Sequence, residues 1–138
     1  MSYWLAKSDP DTYGWPELVR DGKTSWDGVR NFTARNNIRA MKPGDLVLFY
    51  HSGKEKSVVG AMKVLSEAHP DTTSEEDWSA VDVAPAWALK SPVPLSKIKA
   101  EPALRNMQLV RLGRLSVMPV EKKEFDIIVS MGEGISKL

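Results

Sequence analysis

Leu46-Val47-Leu48-Phe49-Tyr50 is a short apolar run with no polar interruption. Turn residues bound it on both sides: Lys42-Pro43-Gly44-Asp45 before it and His51-Ser52-Gly53 after it. A strand with one wet face alternates apolar and polar side chains. A run that does not alternate is the mark of a strand covered on both faces. Ser57 to Leu65 reads as the next strand, and the two make a hairpin with the charged tip Lys54-Glu55-Lys56. Gly60, inside the second strand, predicts a bulge or a close backbone approach. A chain of 138 residues is one ordinary domain, 1–138, long enough to bury a real core around that hairpin.

The remaining segments are short. Ser2 to Lys7 reads as a first strand, ended by Ser8-Asp9-Pro10. Tyr13 to Arg20 predicts a helix with Pro16 in its first turn and a stop at Asp21-Gly22. Phe32 to Met41 predicts another, with Ala34, Ile38 and Met41 facing the core. His69 to Trp78 is a polar, acidic loop. Val81 to Leu89 reads as a strand interrupted at Pro85, followed by a stiff connector, Ser91-Pro92-Val93-Pro94. Helical turns are expected in Leu95–Lys99 and Glu101–Met107. Arg114 to Met118 alternates like a last strand ended by Pro119, and Glu121 to Met131 predicts a closing helix stopped by Gly132. Five or six short strands with short helices between them imply an α+β fold, a small, mostly antiparallel barrel.

One stretch carries more chemistry than a core strand needs. Ser25-Trp26-Asp27-Gly28-Val29-Arg30-Asn31 joins an aromatic face, an acid, a glycine, a guanidinium and an amide just before a helix. Arg30 offers a planar fork of donors for phosphate, and Asn31 can read a hydrogen-bonding edge. The same residues also suit a tight turn with Asn31 as N-cap and Trp26 in the core. Arg35, Arg39 and Lys42 give the following helix a basic stripe. Trp78 stands alone in a polar loop. Bases taken out of a strand are held on aromatics and read at their edges, and these residue types fit that task.

Charge is uneven along the chain. Arg20–Lys63 carries nine Lys/Arg against four Asp/Glu, Ser66–Ala88 has six acids and no Lys/Arg, and Lys90–Lys123 has eight bases against two acids. Two basic regions folded together make a basic patch on a chain whose net charge is only +1. With no cysteine there is no disulfide scaffold, thiolate zinc site or cysteine nucleophile. The two histidines, His51 and His69, have no ligand spacing, so neither a metal nor another cofactor is expected. Neither a phosphate-binding glycine motif nor a nucleophile elbow occurs. Met1–Lys7 lacks a leader pattern and no run is long enough for a membrane span, so a cytoplasmic protein without a membrane partner is expected. A hydrolase using His51 as base and a module binding an acidic protein through the basic patch remain as alternatives.

The residues also carry a resemblance. Tyr3-Trp4-Leu5-Ala6-Lys7-Ser8-Asp9-Pro10, Trp26-Asp27-Gly28-Val29-Arg30-Asn31, Met41-Lys42-Pro43-Gly44-Asp45, Phe49-Tyr50-His51-Ser52 and Leu109-Val110-Arg111 with Arg114-Leu115-Ser116-Val117 resemble the EVE domain, in order and over nearly the whole chain. Phe32-Thr33 departs from it, since tyrosine and glutamine are frequent there. The resemblance implies a PUA-like barrel related to YTH domains, and a non-enzymatic partner of DNA or RNA carrying a modified base, with methylated or hydroxymethylated cytosine the usual proposal. It implies Trp26 and Trp78 as cage walls and Lys7, Ser8 and Asn31 as base-edge or phosphate contacts. Tyr50, His51 and Ser52 would line the pocket. Arg30, Arg35, Arg111 and Arg114, together with Arg39 of the basic stripe, become candidate backbone contacts.

Overall fold

The computed structural model describes residues 1–138. Strand β3 (Leu46–His51) lies inside the sheet, where every residue from Val47 to His51 is buried. Its neighbours are β1 (Tyr3–Ser8), parallel to it, and β4 (Ser57–Val64), antiparallel to it. Cover on both faces accounts for the unbroken apolar run. A parallel pair needs a crossover. Here it contains α1 (Trp15–Asp21), β2 (Thr24–Trp26) and α2 (Phe32–Ala40). The register pairs Tyr3 with Leu46 and Ser8 with His51, so β1 and β3 finish together. The Ser52 N–H donates to the Ser8 carbonyl at 2.9 Å and ties those ends.

The long strand β6 (Ser79–Pro94) pairs with β4 on one side and β2 on the other, and takes the short strands β5 (His69–Pro70) and β8 (Ile135–Ser136) as additions. Strand β7 (Val117–Val120) runs antiparallel to β1. The main path is β2-β6-β4-β3-β1-β7, six strands curled into a half-barrel. Helix α2 packs against β6 and β7, with Ala34 and Ile38 fully buried. The Asn37 side-chain amide donates to the Val117 carbonyl at 2.7 Å, fixing α2 to the far edge. Helices α3 (Leu95–Ala100) and α4 (Gln108–Arg111) line one end of the sheet. Helix α5 (Lys122–Met131) sets the Phe125 ring against Tyr3 and Trp87, with centroids 4.6 and 5.9 Å away.

Five elements differ from the sequence reading. β6 runs through both expected breaks. Pro85 sits opposite Met62 at a shift of register, so the irregularity absorbs the missing donor, and Pro94 pairs with Ser57. The strand expected over Arg114–Met118 is β7, which begins at Val117, contains Pro119 facing Trp4, and is not the last; it ends the main path, where a residue without an N–H is tolerated. β2 and β8 were not expected, and β5 lies in the stretch read as a loop. Gly60 behaves as read: register shifts flank it, and a Cβ there would lie 2.7 Å from the Trp15 ring.

Candidate nucleic-acid interface

The shared end of β1 and β3 places Lys7 and Ser8 near the last residue of β2, Trp26, and the turn after it. Between them opens a cavity of about 450 Å³. Of the residues named from the sequence, Lys7, Ser8, Trp26 and Arg30 stand on its wall. Asp27, the acid of the same stretch, also lines it, as do Thr12, Tyr13 and Ser116, to which the sequence reading gave no role at the site. The second aromatic of the cavity is therefore Tyr13, from the segment before α1.

Trp26 serves two roles. It is 9% exposed and meets Phe49 edge to face at 5.4 Å, so it belongs to the core. Its indole N–H has no partner within the chain. Because no sealed polar side-chain atom lacks a partner, that N–H reaches the cavity. The Asp27 carboxylate is exposed at the rim and likewise unpaired. The Ser8 hydroxyl donates to the Tyr13 carbonyl and joins two walls.

The shape of this wall depends on Asp71, whose side chain is fully buried. Its Oδ2 accepts from the Gly28 N–H and from Arg30 Nη1, both at 2.9 Å. Its Oδ1 accepts from the N–H and hydroxyl of Thr73. Burial opposes ionisation, but these donors outweigh it and hold the carboxyl well below the usual range. Gly28 has φ of +76°, a conformation that suits glycine. Arg30 also reaches Thr73 Oγ1 at 3.0 Å, so its fork is largely engaged inside the protein.

Several candidates lie elsewhere. Trp78 stands outside the cavity, stacked on the exposed Phe32 ring at 5.3 Å, with the Arg30 guanidinium 5.6 Å from its centroid. Asn31 caps α2, its side-chain oxygen accepting from the Ala34 N–H at 3.0 Å. Arg35 and Arg39 approach Asp77 at 3.6 and 2.6 Å, and Arg39 also donates to Ser79 Oγ at 2.8 Å. His51 is buried and does not line the cavity. Its Nε2 accepts from the Trp15 N–H at 2.9 Å, which leaves Nδ1 to donate to Glu55. No three His, Asp or Glu side chains are grouped to hold a metal ion.

A second hollow of about 350 Å³ lies beyond Lys7, the one residue that lines both. Tyr50, Ser52 and Arg114 are on its wall, and Arg111 is exposed at the end of α4 outside it. The Lys7 ammonium donates to the Gly113 carbonyl at 2.8 Å and lies 5.6 Å from the Tyr50 ring centroid. Burial pushes Lys7 down and Tyr50 up from their ordinary pKa values.

Comparison with known proteins places this geometry. Human thymocyte nuclear protein 1 is 38% identical over 96% of this chain and 74% of its own length. A crystal structure from Agrobacterium tumefaciens superposes with a TM-score of 0.94 at 41% identity, covering 97% of this chain and 94% of that one. Human THYN1 protein, solved in complex with 5-methylcytosine-containing DNA, superposes with a TM-score of 0.89 at 37% identity, covering 96% of this chain and 98% of that one. The EVE domain profile matches residues 2–131, and the chain belongs to the EVE domain family.

Proposed function

We propose that this chain binds DNA carrying a methylated or hydroxymethylated cytosine, and that the base leaves its stack and enters the cavity beside Trp26. The carrying observation is the pair of unpaired groups on one wall, the Trp26 indole N–H and the Asp27 carboxylate, in a cavity with two aromatic side chains. A carboxylate accepts from the exocyclic amino group of cytosine, and an indole N–H donates to a carbonyl oxygen. The Tyr13 ring supplies an aromatic face for the base and its added carbon, and Trp26 meets the base with its N–H edge. The human relative bound to 5-methylcytosine DNA supports the choice of base. RNA with the same base presents the same edge, and its 2′-hydroxyl is the distinguishing group.

In this reading the protein binds and catalyses nothing. The hydrolase alternative calls on His51, both of whose ring nitrogens are hydrogen-bonded to neighbours.

Fluorescence titration with single-stranded DNA and RNA oligonucleotides tests the proposal. Each would carry one cytosine, 5-methylcytosine, 5-hydroxymethylcytosine, adenine or N6-methyladenine. Tighter binding of a modified cytosine that persists in added salt is expected. Trp26→Phe, which keeps core bulk, should weaken it by about 1 kcal/mol. Trp26→Ala is a poorer probe, since losing the packing on Phe49 costs about 3–5 kcal/mol of stability. Equal, salt-sensitive binding to every oligonucleotide would overturn the base-reading proposal. Nucleotide turnover abolished by His51→Ala would replace it with the hydrolase.

A further inference from the structure

The hollow beyond Lys7 gathers more cations than the cavity beside Trp26. Lys7, Lys56, Lys99 and Arg114 stand around it, and no carboxylate lines it. Its floor is apolar, from Leu95, Leu109 and Val110. Four separate segments bring the cations together, with Lys7 coming from the end of β1. Lys56 comes from the tip of the β3–β4 hairpin, Lys99 from α3, and Arg114 from the turn after α4. The Leu95 N–H donates to the Lys56 carbonyl at 2.7 Å, which fixes α3 against the hairpin tip. Lys56 holds a left-handed backbone, φ 45°, an uncommon conformation for a side chain of this size. Neither Lys56, Lys99 nor Arg114 forms an ion pair within the chain.

Four cations around a groove with low-dielectric walls focus a positive potential, and the ligand that answers it is an anion. The groove adjoins the base cavity through the single side chain of Lys7. We infer that the groove holds the phosphodiester next to the nucleotide whose base occupies the Trp26 cavity, so that the strand approaches between the β3–β4 hairpin tip and α3. This route rests on the base-reading proposal above. It also moves the backbone track away from α2, whose arginines face Asp77.

The test is the double variant Lys56→Gln/Lys99→Gln, which removes charge and keeps side-chain length. Two ligands are titrated at several salt concentrations: a single-stranded oligonucleotide with one 5-methylcytosine, and the free nucleoside 5-methyl-2′-deoxycytidine. Affinity for the oligonucleotide should fall about tenfold, with the slope of log K against log salt reduced by about 1.4. Binding of the nucleoside, and the preference for methylated over plain cytosine, should be unchanged. Wild-type affinity and slope in the variant would overturn the route while leaving base reading intact. A wild-type protein with no preference for the methylated strand would remove the base-reading proposal, and the route with it.

Discussion

Arg35 and Arg39 on α2 lie 3.6 and 2.6 Å from the carboxylate of Asp77, while Lys56, Lys99 and Arg114 at the groove have no acid within ion-pair distance. Both surfaces are basic in sequence. On α2 the charge is matched by the acidic segment Ser66–Ala88, which folds back over the helix. Arg30, just before the N-cap of α2, repeats the arrangement with Asp71. The positive charge of α2 therefore holds a loop in place and that of Arg30 shapes a cavity wall, whereas the charge of the groove is open to a ligand. Charge counted along a chain measures supply. The field available to a partner is what remains after internal pairing.

Removing Asp71 should disturb this division most. Asp71→Ala leaves the Gly28 N–H and the Arg30 guanidinium without their acceptor, and unfolding in urea should show a loss of about 3 kcal/mol. If the pairing on this side were incidental, stability would hold and the freed Arg30 would strengthen oligonucleotide binding instead.

Acid gives the same comparison in graded form. The Asp71 carboxyl is held below its unfolded value of about 3.9, so the unfolded chain takes up the proton first on acidification. Its contribution is complete above about pH 4 and is lost as pH falls below that. Asp45 works in the same direction. Burial opposes its charge, but donors from Ser2, Trp4 and Lys42 outweigh it. Chemical denaturation between pH 5 and 2 should therefore show falling stability, with a shallower fall in Asp71→Asn. An equal fall in the variant would show that Asp71 does not carry the effect.

The smallest effect is expected at Asp77, an exposed partner. Asp77→Asn should change stability by less than about 1 kcal/mol. By releasing Arg35 and Arg39 it should also steepen the salt dependence of DNA binding, which a titration at several salt concentrations will show. An unchanged slope would mean that α2 lies away from the nucleic acid even when its arginines are free.

Much of the frame was legible because it obeys local rules. The unbroken run Leu46–Tyr50 gave the inner strand, and the spacing of Ala34 and Ile38 gave the buried side of α2. Asn31 is the N-cap, the reading set beside its role as a base-edge contact. β2 escaped because three residues carry no periodicity. The length of β6 escaped because proline breaks a strand only where its N–H is needed, and a register shift removed that need at Pro85. At the site, Trp26 announced itself by composition, whereas Tyr13 is carried in by the turn after β1, where the Ser8 hydroxyl donates to its carbonyl, and Ser116 by its carbonyl accepting from the distant Lys7 N–H. Trp78 drew notice for the same reason as Trp26, yet its stacking partner is Phe32, on the outer surface. Lys56 and Lys99 lacked any local signal, since the groove exists only where the hairpin tip meets α3.

The central claim is that the ligand base sits against Trp26 in the cavity and not at the Trp78–Phe32 stack. The five tryptophan indole N–H resonances report this directly in ¹H–¹⁵N spectra recorded while a 5-methylcytosine oligonucleotide is added. The Trp26 resonance should shift most, with Trp4, whose N–H is bonded to Asp45 in the core, nearly still. A large shift at Trp78 with Trp26 unmoved would contradict the account and place the base on the outer stack.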